Sequence, residues 1–546
     1  MAATLPLLLL VVGCGCGAAF APVSIVGRTA YEMDVPGPSR KGWVSSRPPS
    51  RPCARRAGCA LAVSASSTLG AGERPFVWQS EWFPLAPVHD LDEDAPNKLT
   101  LLGMDLVVWF HRPSSRWQVF ADVCPHRLVP LSEGRVEPSG VLQCAYHGEP
   151  VAPSSVQTCP WRTHLTVLRP GWEFGEGGAC MRIPQMGSGM CENSPAVRSK
   201  RACATSFPAK ILQGLLWVFP TPDETLAKSK SPALIPELDD PSFVDATDFF
   251  GSPLACFDDI FVALLHCPLP PNLFVLRWNH VLTCLLASAS PLRRSLTSCR
   301  ALLSVRDMPY SWETLVENLC DPAHIPFAHH SLMNGADRLS AMDINMRVTA
   351  ESPAGFSAQK DPYPEGTGQY DVVFRPPCLM FYTIVADSTR GKGSYLGLGQ
   401  YCVPTAPGCC RLLARFPFRL SFEPAMAIIR KTPRWITHLS QNAVMDSDVV
   451  FLCSQDEIVA RETGVLSKYY MPARCDTMVT AFRRWLDRHG GGGPAWLGVP
   501  AQRSSGYPTS WLRPHRVPRR DGRDALLDRY RQHTDVCVSC RRAHGM

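Results

Sequence analysis

The chain has 546 residues, 45% of them hydrophobic and 19% charged, enough to bury two sizeable cores. Its formal net charge is +7, but seven of the 55 basic and two of the 48 acidic residues lie in the first 72, leaving 48 against 46 and no reason to expect nucleic-acid binding. The 23 cysteines follow no regular spacing, so in a chain of this length they do not read as a disulfide framework.

The chain opens on an apolar run, Leu5 to Val12, followed by Gly13-Cys-Gly-Cys-Gly-Ala-Ala19. That is the hydrophobic stretch and small-residue end of a signal peptide, 1–19, too short and wrongly flanked to span a membrane. Residues 20–72 are basic and rich in Ser and Pro, the composition of a transit peptide. From Phe76, short apolar or alternating runs such as Leu106-Val-Val-Trp-Phe110 and Trp117-Gln-Val-Phe120, separated by turn residues, predict a small antiparallel β domain over 76–222. Within it Cys124-Pro-His126 and Cys144-Ala-Tyr-His147 are seventeen residues apart. This is the spacing of a Rieske 2Fe-2S centre, in which two thiolates hold one iron and two imidazoles the other; structural zinc favours C-x2-C or H-x3-H pairs instead. The imidazole pair raises the potential, so reduced ferredoxin delivers electrons to such a centre downhill. Pro and Gly in Arg127-Leu-Val-Pro-Leu-Ser-Glu-Gly134 and Tyr146-His-Gly148 bring backbone N–H groups toward the cluster sulfurs.

Further on, in Glu317-Asn-Leu-Cys-Asp-Pro-Ala-His-Ile-Pro-Phe-Ala-His-His330, four residues separate His324 from His329, so both imidazoles can converge on one metal. Two His with one carboxylate and open positions is the non-haem Fe(II) oxygenase arrangement. Strand-like runs at Tyr370–Phe374, Leu379–Val385 and Arg411–Phe416 surround an apolar-periodic segment carrying Asp446 and Asp448, in which Val444, Phe451 and Ile458, with Met445, Val449 and Leu452, predict an amphipathic helix. The chain closes with a Gly- and Arg-rich stretch and Cys537-Val-Ser-Cys540, read as a flexible tail over 491–546. That pair reads either as a reversible redox couple open to thioredoxin or as two cysteines in a frayed end.

Asn318, Asp321, His324 and His329 fit the N-x-x-D-x-x-H-x4-H motif, and with the upstream cluster motif the chain resembles the Rieske-type oxygenases. Cys124–Arg135, Arg201–Pro208, Gln213–Phe219, Asp321–His330, Asp528-Arg-Tyr530 and the terminal C-x-x-C narrow the resemblance to the plastid branch of pheophorbide a oxygenases, chlorophyllide a oxygenases and translocon-associated Rieske proteins, nearest to the first. Ala18-Ala-Phe-Ala-Pro22 resembles the signal-to-transit junction of algae with secondary plastids. The resemblance implies an α+β fold: the all-β Rieske domain, then a helix-grip catalytic domain over 223–490. It also implies a mononuclear Fe(II) on His324, His329 and a later Asp, with Asp448 first and Asp446 as fallback. Asp321 would relay the electron between a Rieske histidine and His324, commonly across a subunit boundary in a homotrimer. Ferredoxin, molecular oxygen and a chlorophyll-derived tetrapyrrole are the implied partners, in a plastid. Pheophorbide a, oxygenated and ring-opened, is the leading substrate, with chlorophyllide or protochlorophyllide methyl oxidation and linear tetrapyrrole hydroxylation beside it. A redox sensor of the import machinery is the alternative of another class. Family members continue past the C-x-x-C into membrane-anchoring helices, whereas no such helix is expected in this chain.

Two stretches depart from the pattern. Glu149–Gly171 separates Tyr146-His-Gly148 from Trp172, and 252–304 is poor in acids and rich in Cys and Leu. Both read as unspliced introns translated in frame, or else as surface loops. The substrate cavity is expected among Phe374, Phe381, Tyr382, Phe416 and Phe422, residues that more often are plain core.

Overall fold

The computed structural model describes residues 76–147, 171–184, 186, 192, 194–240, 304–333, 336–361, 370–385, 395–419, 433–462, 465–497 and 526–545. The leader over 1–72, Phe422 and all but the last residue of each suspect stretch lie outside them.

The first half is built of three small antiparallel sheets. β1 (Phe83–Pro87), β11 (Leu215–Val218) and β10 (Ala209–Leu212) form one; β2 (Asn97–Leu101), β3 (Met104–His111), β4 (Arg116–Ala121) and β9 (Ser206–Phe207) form the second. The third runs β5 (Arg135–Val136), β6 (Leu142–Gln143), β7 (Glu173–Phe174) and β8 (Cys180–Arg182). The apolar run in β3 is buried on both faces, which is why it shows no alternation. Register is kept across the first suspect stretch, with Leu142 opposite Phe174 and Gln143 opposite Glu173.

The second half is an eight-stranded antiparallel sheet in the order β12 (Ser304–Met308), β18 (Cys409–Arg415), β17 (Tyr395–Ala406), β16 (Leu379–Val385), β15 (Tyr370–Arg375), β14 (Gly355–Lys360) and β13 (Met346–Ser352), with β19 (Phe418–Arg419) beside β17. After α1 (Glu224–Ser229), the helices are α2 (Trp312–Cys320), α3 (Ile325–Ala328), α4 (Arg434–Val459), α5 (Val465–Lys468), α6 (Thr477–Arg488) and α7 (Val538–His544). α6 packs on β13 and β14, α2 on β17 and β18, and the long α4 crosses α2. This is the α+β architecture expected.

The two halves share one core. Phe76, Trp78, Trp312, Phe374, Phe482 and Trp485 form a chain of edge-to-face rings, each such pair contributing about 0.5–1.5 kcal/mol beyond area burial. Phe374, Phe381 and Tyr382 are buried in the sheet core, and none of them lines the cavity at the second centre described below. The helix over Asp448 forms, but only Val449 and Leu452 of its apolar set are buried; Phe451 and Ile458 are exposed. Its inward face is completed instead by Asn442, Asp448, Cys453 and Asp456.

The C-terminal segment also differs from expectation. Residues 526–545 are not a free tail: the turn Tyr530–Thr534 and α7 pack against β12 and α4, with Gln532, His533 and Cys537 buried. Arg306 of β12 explains the docking, since its guanidinium reaches Asp446 at 2.6 Å and Gln532 Oε1 at 2.7 Å. Arg529 joins the same Asp446 carboxylate. Arginine-rich sequence reads as solvated until such partners are in view.

Candidate metal centres

The small sheet β5–β8 holds two loops. The first is closed by Cys124 N–H to the Val129 carbonyl at 2.8 Å and Leu128 N–H to the Cys124 carbonyl at 2.9 Å, with Leu128 at positive φ. In the second, Cys144 N–H donates to the Trp172 carbonyl at 2.9 Å. Gly134 lets the loops approach: a Cβ there would lie 2.1 Å from the Gln143 carbonyl oxygen. Cys124 and Cys144 are buried while His126 is exposed and His147 half-exposed, so the pocket has a sulfur floor and an imidazole mouth. Trp172 stacks on His126 with centroids 5.0 Å apart.

His126 Nδ1 and His147 Nδ1 are 3.2 Å apart. Two nitrogens on one tetrahedral metal, each about 2.0–2.1 Å from it, stand about 3.3 Å apart, so the donor set fits. Burial, then His147 and Arg127, hold His126 below the usual imidazole range. The hydrogen bond from Cys124 lowers the Cys144 thiol to about 7.

The second centre lies where α3 meets α4. Asp321 caps the turn that leads into α3, and the His324 Nδ1–H donates to the Asp321 carbonyl. His329 Nδ1 stands 2.8 Å from Ser447 Oγ, whose own proton goes to the Val444 carbonyl at 2.6 Å. Ser447 therefore accepts from His329. Both rings thus carry their protons on Nδ1 and turn Nε2 lone pairs inward, 3.2 Å apart. Asp448 Oδ2 completes the group at 3.4 Å from His329 and 3.9 Å from His324. The Asn318 amide reaches His324 Nε2 at 3.4 Å, and two imidazoles with one carboxylate suit ferrous iron.

Burial raises Asp448 to about 6 against the pull of His324. Burial, then the charge of His324, lowers His329 to about 4. For His324 burial acts downward, but hydrogen bonding and charge from Asp321 and Asp448 outweigh it and raise the ring. Asp446 points elsewhere, held by Arg306 and Arg529. A cavity of about 520 Å³ reaches this centre, lined by Asn318, Asp321, His324 and Asp448 and by Phe451, Leu452, Tyr469, Tyr470 and Met471.

Cys537 and Cys540 sit in neither centre; they meet His438 and His533 beneath α7. The sequence reading missed both histidines and Ser447. His533 carried a signal, lying four residues before Cys537 in an H-x3-C-x2-C run. His438, on another element, carried none.

A β domain with a two-thiolate, two-imidazole cradle, followed by a sheet-and-helix domain with a two-histidine, one-carboxylate centre, defines a Rieske-type non-haem iron oxygenase. Residues 81–154 match the Rieske [2Fe-2S] domain model and residues 374–465 the pheophorbide a oxygenase model. Pheophorbide a oxygenase of Arabidopsis thaliana is 31% identical, over 86% of this chain and 73% of its own. Flavonoid 8-hydroxylase 2 of Ocimum basilicum is also 31% identical, over 86% and 74%. Protochlorophyllide-dependent translocon component 52 of Arabidopsis thaliana is 26% identical, over 87% and 74%. The chain belongs to the pheophorbide a oxygenase family of Rieske oxygenases, with a 2Fe-2S cluster and a mononuclear iron as its cofactors. Among the described residues no helix is long and apolar enough to cross a membrane.

Proposed function

We propose that the protein is a ferredoxin-fed plastid monooxygenase of a chlorophyll-derived tetrapyrrole, with pheophorbide a as substrate and macrocycle opening as outcome. The observation that carries this reading is the His324, His329 and Asp448 group at a cavity of about 520 Å³, in a chain 31% identical to a pheophorbide a oxygenase. That volume is in the range of small-molecule sites, and Tyr469, Tyr470 and Phe451 offer flat apolar surface to a macrocycle. Lys468 on the same wall, 3.2 Å from Glu462, brings an ammonium within the cavity lining that a propionate carboxylate can share. The relatives' chloroplastic designations support the location.

When bound, the cluster supplies single electrons and the ferrous ion supplies dioxygen activation. The chain's residues arrange the rest. His126 and His147 form the surface that an electron donor can touch. Asp321 fixes the His324 ring through its main-chain carbonyl, and its carboxylate, 34% exposed and 3.7 Å from His324 Nδ1, offers a contact to a histidine arriving from outside. Such an arrival from a neighbouring subunit suits the trimer implied by family resemblance. Ser447 holds the His329 proton at Nδ1.

The test is mass spectrometry of products after incubating the metal-loaded chain with reduced ferredoxin and oxygen. Separate reactions receive pheophorbide a, chlorophyllide a, protochlorophyllide, a linear tetrapyrrole and a flavone. An oxygenated, ring-opened pheophorbide supports the reading. Hydroxylated flavone with every tetrapyrrole untouched would assign the chemistry named for the basil relative. No turnover by loaded protein would favour the redox sensor.

A further inference from the structure

Outside the two centres, His438 of α4, His533 of the Tyr530–Thr534 turn, Cys537 at the N-cap of α7 and Cys540 within it each offer one ligand atom, and the four atoms lie within 4.8 Å of one another. His533 Nε2 is 3.1 Å from Cys540 Sγ; His438 Nδ1 is 3.4 Å from Cys540 Sγ and 3.6 Å from Cys537 Sγ. Around one tetrahedral ion with bonds of about 2.3 Å to sulfur and 2.0–2.1 Å to nitrogen, nitrogen and sulfur stand about 3.5 Å apart. The three nitrogen–sulfur distances bracket that value.

Two further observations point to a ligand. His533 Nδ1–H donates to the Val305 carbonyl at 2.6 Å, which directs the Nε2 lone pair at the sulfurs; a backbone carbonyl holding the remote N–H is the usual support of a metal-bound imidazole. His438 is 1% exposed, and its Nε2 meets no hydrogen-bond partner among the described residues, so the ring engages polar atoms only through Nδ1 on the two sulfurs. The rings meet edge to face, 4.9 Å between centroids, as two ligands of one ion can.

We propose that His438, His533, Cys537 and Cys540 hold a zinc ion in a closed structural site. Thiolate with imidazole selects zinc among the common divalent ions, and four protein ligands leave no open position for catalysis. Two thiolates balance the dication, so the buried assembly is neutral, and binding releases the two thiol protons to solvent. The ion fastens α7 to α4 and β12. Through the Val538 N–H bond to Asp90 Oδ1 at 2.9 Å it also touches the Rieske half. While ligated, Cys537 and Cys540 are not a dithiol switch.

The test is elemental analysis of the full chain, grown with zinc and purified under reducing conditions. About one zinc per chain is expected beside the iron, falling about tenfold in His533→Ala and Cys540→Ser while the cluster's visible spectrum persists. His438→Cys, which keeps four ligands, should retain zinc. If the first two variants fail to fold, cobalt exchange into the unaltered chain serves instead, with tetrahedral, thiolate-to-metal bands expected. Zinc-free unaltered protein, zinc unchanged in both variants, cobalt without thiolate bands, or a resting Cys537–Cys540 disulfide by intact mass would each overturn the proposal.

Discussion

Ser447 has a single hydroxyl proton, and by giving it to Val444 the residue becomes an acceptor that fixes the tautomer of His329. Ser447→Ala is expected to weaken the mononuclear iron about 10- to 100-fold, read by chelator competition with cluster absorbance as the internal control. His329→Ala should drop the iron count from about three to about two per chain, the cluster remaining. The protons set the pH dependence. Iron needs Asp448 ionised and both rings neutral, so affinity falls as pH drops through about 6, where Asp448 gains its proton. His324, raised above its ordinary 6.5, extends the loss upward, whereas His329 at about 4 adds nothing until far lower. Affinity should therefore climb from pH 5 to above 7 and then level, measured by iron titration in a buffer series. At this scale the histidines were legible because their spacing carries the chemistry. Ser447 was not, because a hydroxyl acquires meaning only from the ring that folds against it.

Among the elements, α4 shows where periodicity misleads. Its apolar positions predict one buried face, yet the face it buries holds Asn442, Asp448 and Asp456, which have partners on β12, on α2 and at the end of α3. Apolar count sees no partners, so a helix with a polar working face reads rotated. The strands, by contrast, were legible: β15 alternates buried and half-buried as its sequence does. Between β5 and β6, Gly134→Ala should push the strands apart and cut cluster content at least about tenfold, visible as lost absorbance in protein that still folds. α6 is bound to α2 by Arg483, which is buried, reaches Glu313 at 2.6 Å and also bonds Glu317. Arg483→Met leaves the buried Glu317 and the half-buried Glu313 uncompensated and should cost about 3–5 kcal/mol, measured as a shifted urea midpoint.

In the whole molecule, the sequence motifs marked the residues of both candidate centres but not the continuity between halves. The boundary placed at 222 runs through one core, because Phe76 and Trp78 leave the first domain's sequence to pack on Trp485. No local pattern announces a contact made across four hundred positions. Asp321 stands between the His324 ring and the surface, so under the proposed function Asp321→Asn should lower product formation roughly 10²-fold with iron and cluster content unchanged, a split read by single-turnover assays beside metal analysis. The docking of residues 526–545 has a bearing on biogenesis. Arg306 emerges from the ribosome long before Asp446, and longer still before Gln532, yet it is buried with both. Closure of the β12 edge therefore waits on the last segment of the chain, because Arg306 shares its guanidinium between Asp446 and Gln532.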